Sequence, residues 1–166
     1  MNHHNRTACS IDISLHDQTL ALLDESGCVV ASYPVSTALN GVGEQNGSGC
    51  TPKGEHYIRA MMGAGLPANT VFRARRPTGE IYSPELAASH PERDWILSRI
   101  LWLCGLELEK NRGADVDTFR RFIYIHGTPD TEPMGLALSH GCVRMRNADV
   151  VELFDFARPG MPVTIR

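Results

Sequence analysis

Ser139-His140-Gly141-Cys142-Val143-Arg144, together with Ile125-His126-Gly127 upstream of it, is the stretch on which the reading of this 166-residue chain turns. Residues 121–125 form a compact apolar run that reads as a strand ending at His126. Gly127-Thr128-Pro129 then opens a loop that can return the chain to the same sheet edge. One thiol is thereby brought within reach of two imidazoles on a glycine-bearing turn. A neighbouring histidine activates a cysteine near neutral pH by taking the thiol proton. Gly141 lets the backbone bend sharply, so that successive N–H groups can converge beside the sulfur, as stabilising an acyl-transfer oxyanion requires. Cys142 is the candidate nucleophile and His126 the candidate base. His140, two positions before the thiol, is a second base candidate or a lining residue.

Strand-like runs extend outward from this centre. Ala8 to Ser14, Thr19 to Leu23 and Cys28 to Val35 read as an antiparallel meander, with turns at 15–18 and 24–27. Residues 40–54 read as a flexible glycine-rich loop without the Walker pattern. Tyr57 to Met61 is a further strand, Val71-Phe72 a short one, and Pro84 to Ser89 a helical turn. Trp95 to Leu103 is apolar enough to be a buried strand or a helix, and periodicity does not separate the two. Asn147 reads as the N-cap of a helix carrying Val150, Val151, Leu153, Phe154 and Ala157. Gly160 stops that helix, and Pro162 to Ile165 closes the chain as a strand. A single domain over residues 1–166 is expected.

Composition narrows the partners. A net charge of −3 gives no bulk reason to expect nucleic acid or an anionic membrane. No apolar run approaches the ~20 residues of a membrane span. Of the 16 basic residues only Lys53 and Lys110 are lysine. Arginine is the better two-pronged ligand for carboxylates, so an acidic small substrate fits, although a bias toward arginine codons gives the same count. The five cysteines are scattered, without a CxxC pair. Cys9, Cys28 and Cys104 read as small buried hydrophobes and Cys50 as a loop bystander. Free thiols and a polar N-terminus point to the cytoplasm, with the periplasm as the alternative if a leader has been removed. His3, His4, His16, His56 and His90 read as solvent-facing. Reading His126, His140 and Cys142 as zinc ligands lacks a fourth ligand and a water-orienting acid, and His-x-Cys is a poor chelating step; no metal or cofactor is expected. Arg144 and Arg146 follow the thiol at alternate positions. The former is the candidate to bind a substrate carboxylate and to favour the thiolate.

Residues 139–147 resemble the signature of the L,D-transpeptidase catalytic domain, the YkuD family of bacterial peptidoglycan enzymes. Ile125-His126-Gly127-Thr128 resembles its upstream histidine motif. Thr51-Pro52-Lys53-Gly54 resembles its Thr-Pro-x-Gly element, and Tyr33-Pro34-Val35-Ser36-Thr37 the strand end before that. The similarity covers essentially the whole chain, and residues 62–113 resemble the long central segment of leaderless members. The resemblance implies a mainly β fold, a sandwich or barrel-like domain with one or two short helices. It implies that Cys142 is the nucleophile, His126 its proton carrier and the Gly127 backbone the orienter of that imidazole. It puts Ser139, Gly141 and Arg144 at the substrate, with the amides of His140, Gly141 and Cys142 around the oxyanion. Residues 127–138, between His126 and Ser139, are at or below the short end of the family's range. The implied partner is a peptidoglycan stem peptide or muropeptide, cut between meso-diaminopimelate and terminal D-alanine. L,D-carboxypeptidase action in peptidoglycan recycling is the favoured reading, because water is the abundant acceptor in the cytosol. Formation of 3→3 cross-links is the alternative, and a non-catalytic peptidoglycan-binding module the third. The sequence leaves the oligomeric state open.

Overall fold

A computed structural model describes residues 7–166. His3 and His4 lie outside the described residues. The meander forms as read: β1 (Ser10–Ser14), β2 (Thr19–Leu23) and β3 (Val29–Pro34) pair antiparallel in sequence order. Alternation drives it, since Ile11, Ile13, Leu20 and Leu22 are buried while their neighbours along each strand are more exposed. β4 (Gly54–Met62) follows, then β5 (Thr70–Arg73) and β6 (Arg76–Ile81), and then the six-residue α1 (Pro84–Ser89), capped by the Ser83 hydroxyl.

β7 (Ile96–Gly105) resolves the ambiguous apolar run as a strand, and it organises the sheet. One of its edges pairs with β5 through Ile96 and Leu97 and with β4 from Ile100 onward. Its other edge pairs with β8 (Tyr124–Gly127). Between the two halves Ser98 adopts φ 69° at a bulge, which lets the sheet fork. β9 (Val143–Met145) runs parallel to β8. α2 (Asn147–Phe156) packs on β7 and β8, and β10 (Pro162–Ile165) slots between β1 and β4. Beyond β3, Ser36 bridges to Arg144 and Ala38 to Ser139, so the segment after β3 meets the β8–β9 branch and the architecture is barrel-like. Among the described residues no helix is long and apolar enough to cross a membrane.

Several local expectations are corrected. β5 and β6 form a hairpin whose turn residues, Ala74 (φ 47°) and Arg75 (φ 64°), are both left-handed. Such turns usually carry Gly or Asn, so nothing in Arg73-Ala74-Arg75-Arg76 signals one. Phe122 also has positive φ (58°), which delays the start of β8 to Tyr124. Asn147 is the first residue of α2 rather than its cap. Its buried amide donates to the Thr128 carbonyl (2.9 Å) and its Oδ1 accepts from the Ser98 hydroxyl (2.5 Å). Cys28 is exposed in a turn, while Cys9 and Cys104 are half-buried, so none of the three is a core residue. Cys104 follows Trp102 on the outer face of β7, opposite the buried Leu101 and Leu103. The 40–54 loop is pinned: the Arg121 guanidinium donates to the carbonyls of Gly43 (3.2 Å) and Cys50 (2.7 Å) and to the Ser48 hydroxyl (3.3 Å).

His56 is fully buried rather than solvent-facing; of the others, His16 is exposed and His90 half-buried. Nδ1 of His56 donates to the Gly54 carbonyl (2.9 Å), so Nε2 accepts from the Thr118 hydroxyl (3.0 Å). Burial holds its pKa below the ordinary 6.5, and burial does the same to His126. Unfolding lets both imidazoles protonate at their normal value. Stability is therefore fully present above pH 6.5 and declines as pH falls below it, each group adding a slope of at most about 1.4 kcal/mol per pH unit. Chemical unfolding measured between pH 7.5 and 5, above the range where most carboxylates titrate, should show this decline. A His56→Gln variant should show a shallower one, and a pH-independent midpoint would contradict the neutral buried imidazole.

Candidate active site

The parallel register of β8 and β9 sorts their residues onto two faces. Ile125 pairs with Val143 and Gly127 with Met145, and Ile125, Val143 and Met145 enter the main core together with Val150 and Leu153 of α2. His126 pairs with Arg144 and therefore takes the opposite face. One step back along the same register, Tyr124 faces Cys142. Cys142 and His126 are thus diagonal neighbours on one face, and both line a single cavity of about 340 Å³.

His126 is 2% exposed, and its Nδ1 lies 2.7 Å from the carbonyl of Gly127. A carbonyl only accepts, so Nδ1 carries the proton and Nε2 presents its lone pair to the cavity. Gly127 is the residue this contact requires. A Cβ there would sit 2.5 Å from the Leu97 carbonyl oxygen and 2.6 Å from Asn147 Oδ1.

Sγ of Cys142 packs beside Phe72, Ile100 and Tyr124. It accepts from the Tyr124 backbone N–H (3.3 Å) and donates to the Phe122 carbonyl (3.3 Å) rather than to His126. Burial pushes the thiol up to about 12, although the Tyr124 N–H and the positive charges of Arg144 and Arg121 act in the other direction. Burial also keeps His126 below its ordinary value. Both shifts favour a neutral thiol and a neutral imidazole at rest, at a cysteine that is half-buried and open to the cavity. The expectation that a nearby arginine favours the thiolate is outweighed by loss of solvent around the sulfur.

The turn carrying the thiol is braced from within. The buried Ser139 hydroxyl donates to the Cys142 carbonyl (2.6 Å) and accepts from the Gly141 N–H (3.2 Å). Thr51 Oγ1 donates to the Gly141 carbonyl (2.9 Å) and accepts from the Ala38 N–H (3.0 Å), which ties the 40–54 loop to the turn. Gly141 has φ 131°, and a Cβ on it would meet the Cys50 carbonyl oxygen and Ile123 Cδ1 at 3.3 Å. Among the described residues the amides of His140 and Cys142 find no acceptor within the protein.

At the rim, Asp94 gathers two of the expected residues. It pairs with Arg144 Nη2 at 3.2 Å and lies 3.5 Å from His140 Nδ1. Arg144 is 10% exposed in its side chain, whereas that of His140 is 76% exposed. His140 is thus a rim group turned toward Asp94. Three charged lining residues carry no motif in the sequence: Asp94, Arg121 and Arg75. Asp94 sits in a polar stretch before β7, and its role is visible only once β7 and β9 are brought together. Among the described residues no group of three or more His, Cys, Asp or Glu side chains is placed to hold a metal ion.

Comparison with known proteins bears on the family and the fold. The sequence profile of the L,D-transpeptidase catalytic domain (YkuD) matches residues 10–165. YkuD of Bacillus subtilis (strain 168) is 49% identical over 41 residues, a quarter of each chain. An L,D-transpeptidase from Mycobacterium smegmatis superposes with TM-score 0.59 at 17% identity, over 97% of this chain and 59% of that one. L,D-transpeptidase 3 from Mycobacterium tuberculosis, solved with a faropenem-derived adduct, gives 0.58 at 15%, over 96% and 60%. Bdellovibrio bacteriovorus Bd1075 gives 0.58 at 16%, over 97% and 48%. At these identities the likeness to the solved structures is one of fold, and the chain spans less than two thirds of each of these relatives.

Proposed function

This chain belongs to the L,D-transpeptidase catalytic domain family, and from that premise we propose that it is a cysteine acyltransferase acting on peptidoglycan stem tetrapeptides. In this proposal it cleaves the bond between meso-diaminopimelate and terminal D-alanine, with water as acceptor. It is then an L,D-carboxypeptidase of peptidoglycan recycling. The observation that carries the reading is the shared face of Cys142 and His126 in one cavity, with Nδ1 of the histidine held by the Gly127 carbonyl.

The chemistry follows from that placement. Nε2 of His126 takes the thiol proton as Sγ attacks the diaminopimelate carbonyl, so that charge develops on the carbonyl oxygen rather than on free sulfur. The N–H of Gly141 is already given to Ser139, which leaves the amides of His140 and Cys142 for the oxyanion. The imidazolium then protonates the departing D-alanine nitrogen. Water, deprotonated by His126, hydrolyses the thioester and regenerates the thiol. Arg144 is held by Asp94 at the rim and lends positive charge to the side from which an acidic peptide approaches.

The choice of water over a second stem peptide is supported by five free cysteines, Cys28 among them exposed, which suit a reducing cytoplasm. Incubation with disaccharide tetrapeptide, followed by mass spectrometry, tests it. Loss of one D-alanine to give tripeptide is expected. A cross-linked dimer would identify a transpeptidase, and unchanged tetrapeptide a binding module.

A further inference from the structure

Three guanidinium groups line the cavity that holds the Cys142 sulfur, and their partners separate them. Arg144 is already paired with Asp94 at 3.2 Å. Arg121 spends its donors on Gly43, Ser48 and Cys50, bracing the loop beneath the catalytic turn. Arg75 is differently placed. Its Nη1 donates to the Tyr124 hydroxyl (3.1 Å), and its guanidinium lies 4.8 Å from the ring centroids of both Trp102 and Phe122. Among the described residues no carboxylate pairs with it. A guanidinium has five N–H donors, and only one of these is used.

The backbone is arranged to put it there. Arg75 and Ala74 hold consecutive left-handed conformations at the tip of the β5–β6 hairpin, which L-residues adopt only at a cost. The two aromatic faces and the tyrosine hydroxyl then fix the direction of the side chain toward the cavity. Tyr124 links both ends of the site, since its backbone N–H touches Sγ of Cys142 while its hydroxyl touches Arg75. The charge thus lies one tyrosine side chain away from the nucleophile. Both groups line the one cavity, so a peptide seated at the sulfur can extend toward the guanidinium.

We propose that Arg75 is a specificity-determining residue that binds the free C-terminal carboxylate of the peptide attacked by Cys142. The inference rests on the peptide-cleaving reading above and deepens it. It makes the site selective for a substrate whose last residue ends the chain, so that an amidated or extended peptide loses the planar two-pronged contact.

The test compares a stem tetrapeptide with its C-terminal amide, using the whole chain and Arg75→Gln and Arg75→Lys variants. The unsubstituted protein should favour the acid in kcat/KM. In Arg75→Gln the acid-to-amide ratio should fall about 30-fold, chiefly through KM, as expected for loss of a hydrogen-bonded charge pair. Arg75→Lys should recover part of the ratio. An unchanged ratio, or equal losses on acid and amide, overturns the assignment, and the ratio guards against a variant that is merely poorly folded. Calorimetric binding of both peptides to Cys142→Ala keeps the two readings apart. Absence of turnover, with an acid preference in binding that Arg75→Gln erases, overturns peptide cleavage and leaves Arg75 assigned. Turnover with an unaltered ratio overturns Arg75 alone, and absence of both turnover and binding overturns both.

Discussion

Cys142→Ala is expected to release no D-alanine from a tetrapeptide, and His126→Gln to retain about one part in 10³ of the turnover or less. The two losses share one cause. With the thiol pushed up to about 12 and the imidazole held below 6.5 by burial, neither group is charged at rest. Sulfur becomes nucleophilic only as its proton moves to Nε2, so deleting the acceptor costs nearly as much as deleting the sulfur. The pH dependence follows with a definite sign. Protonating His126 removes the acceptor, so kcat/KM should fall as pH drops through that depressed imidazole value. It should stay level through neutral and mildly alkaline pH, because no pre-formed thiolate is needed. Iodoacetamide should alkylate Cys142 at pH 7 more slowly than it alkylates free cysteine, for the same reason. Fast alkylation at neutral pH, together with an optimum that declines above pH 7, would mean a charged resting pair and would overturn this account. Far-ultraviolet circular dichroism of both variants should match the parent, since neither side chain carries the main core.

The sequence discloses the site's chemistry better than its surroundings, for identifiable reasons. Cys142, Gly141 and His126 are legible because nucleophile, sharp turn and base are local in the chain or separated by one loop. The meander and β10 are legible as β-prone runs, alternating in β1, β2 and β10, between turn-forming clusters. Asp94, Arg75 and Arg121 are not, because each is drawn in by a pairing across the sheet. Asp94 reaches Arg144 across fifty positions, and Arg75 reaches Tyr124 across forty-nine. The β5–β6 turn hides behind Ala-Arg, a pair with no left-handed preference. His56 escapes a sequence reading because a buried imidazole satisfied by one carbonyl and one hydroxyl leaves no periodic trace. Asn147 has the chemistry of a cap. The fold uses that amide to join the start of α2 to the Ser98 bulge and the Thr128 carbonyl, beside the residues that orient His126.

Gly127→Ala should damage stability and catalysis together. The added carbon would press on the Leu97 carbonyl, which belongs to the β7 backbone and cannot rotate away as a side chain does. It would also press on Asn147 Oδ1, already fixed by the Ser98 hydroxyl. Relief requires β8 to move away from β7 at the Leu97 pair, and overpacking of this kind costs about 2–3 kcal/mol. For a chain of this size that corresponds to a fall in Tm of roughly 5–10 °C. Catalysis should suffer beyond the stability loss, because the carbonyl that holds Nδ1 of His126 belongs to the displaced residue. At a temperature where the variant remains folded, kcat should therefore drop by about 10²-fold with little change in KM, as a misdirected base implies. Gly160→Ala is the matched comparison. A methyl added to that glycine would have nothing within 4 Å, but the residue takes φ 89°, so the substitution should lower Tm through backbone strain while leaving kcat alone. If Gly127→Ala behaves the same way, losing stability but not kcat, then the Gly127 carbonyl does not set the direction of the imidazole, and the base is positioned by something other than its own strand.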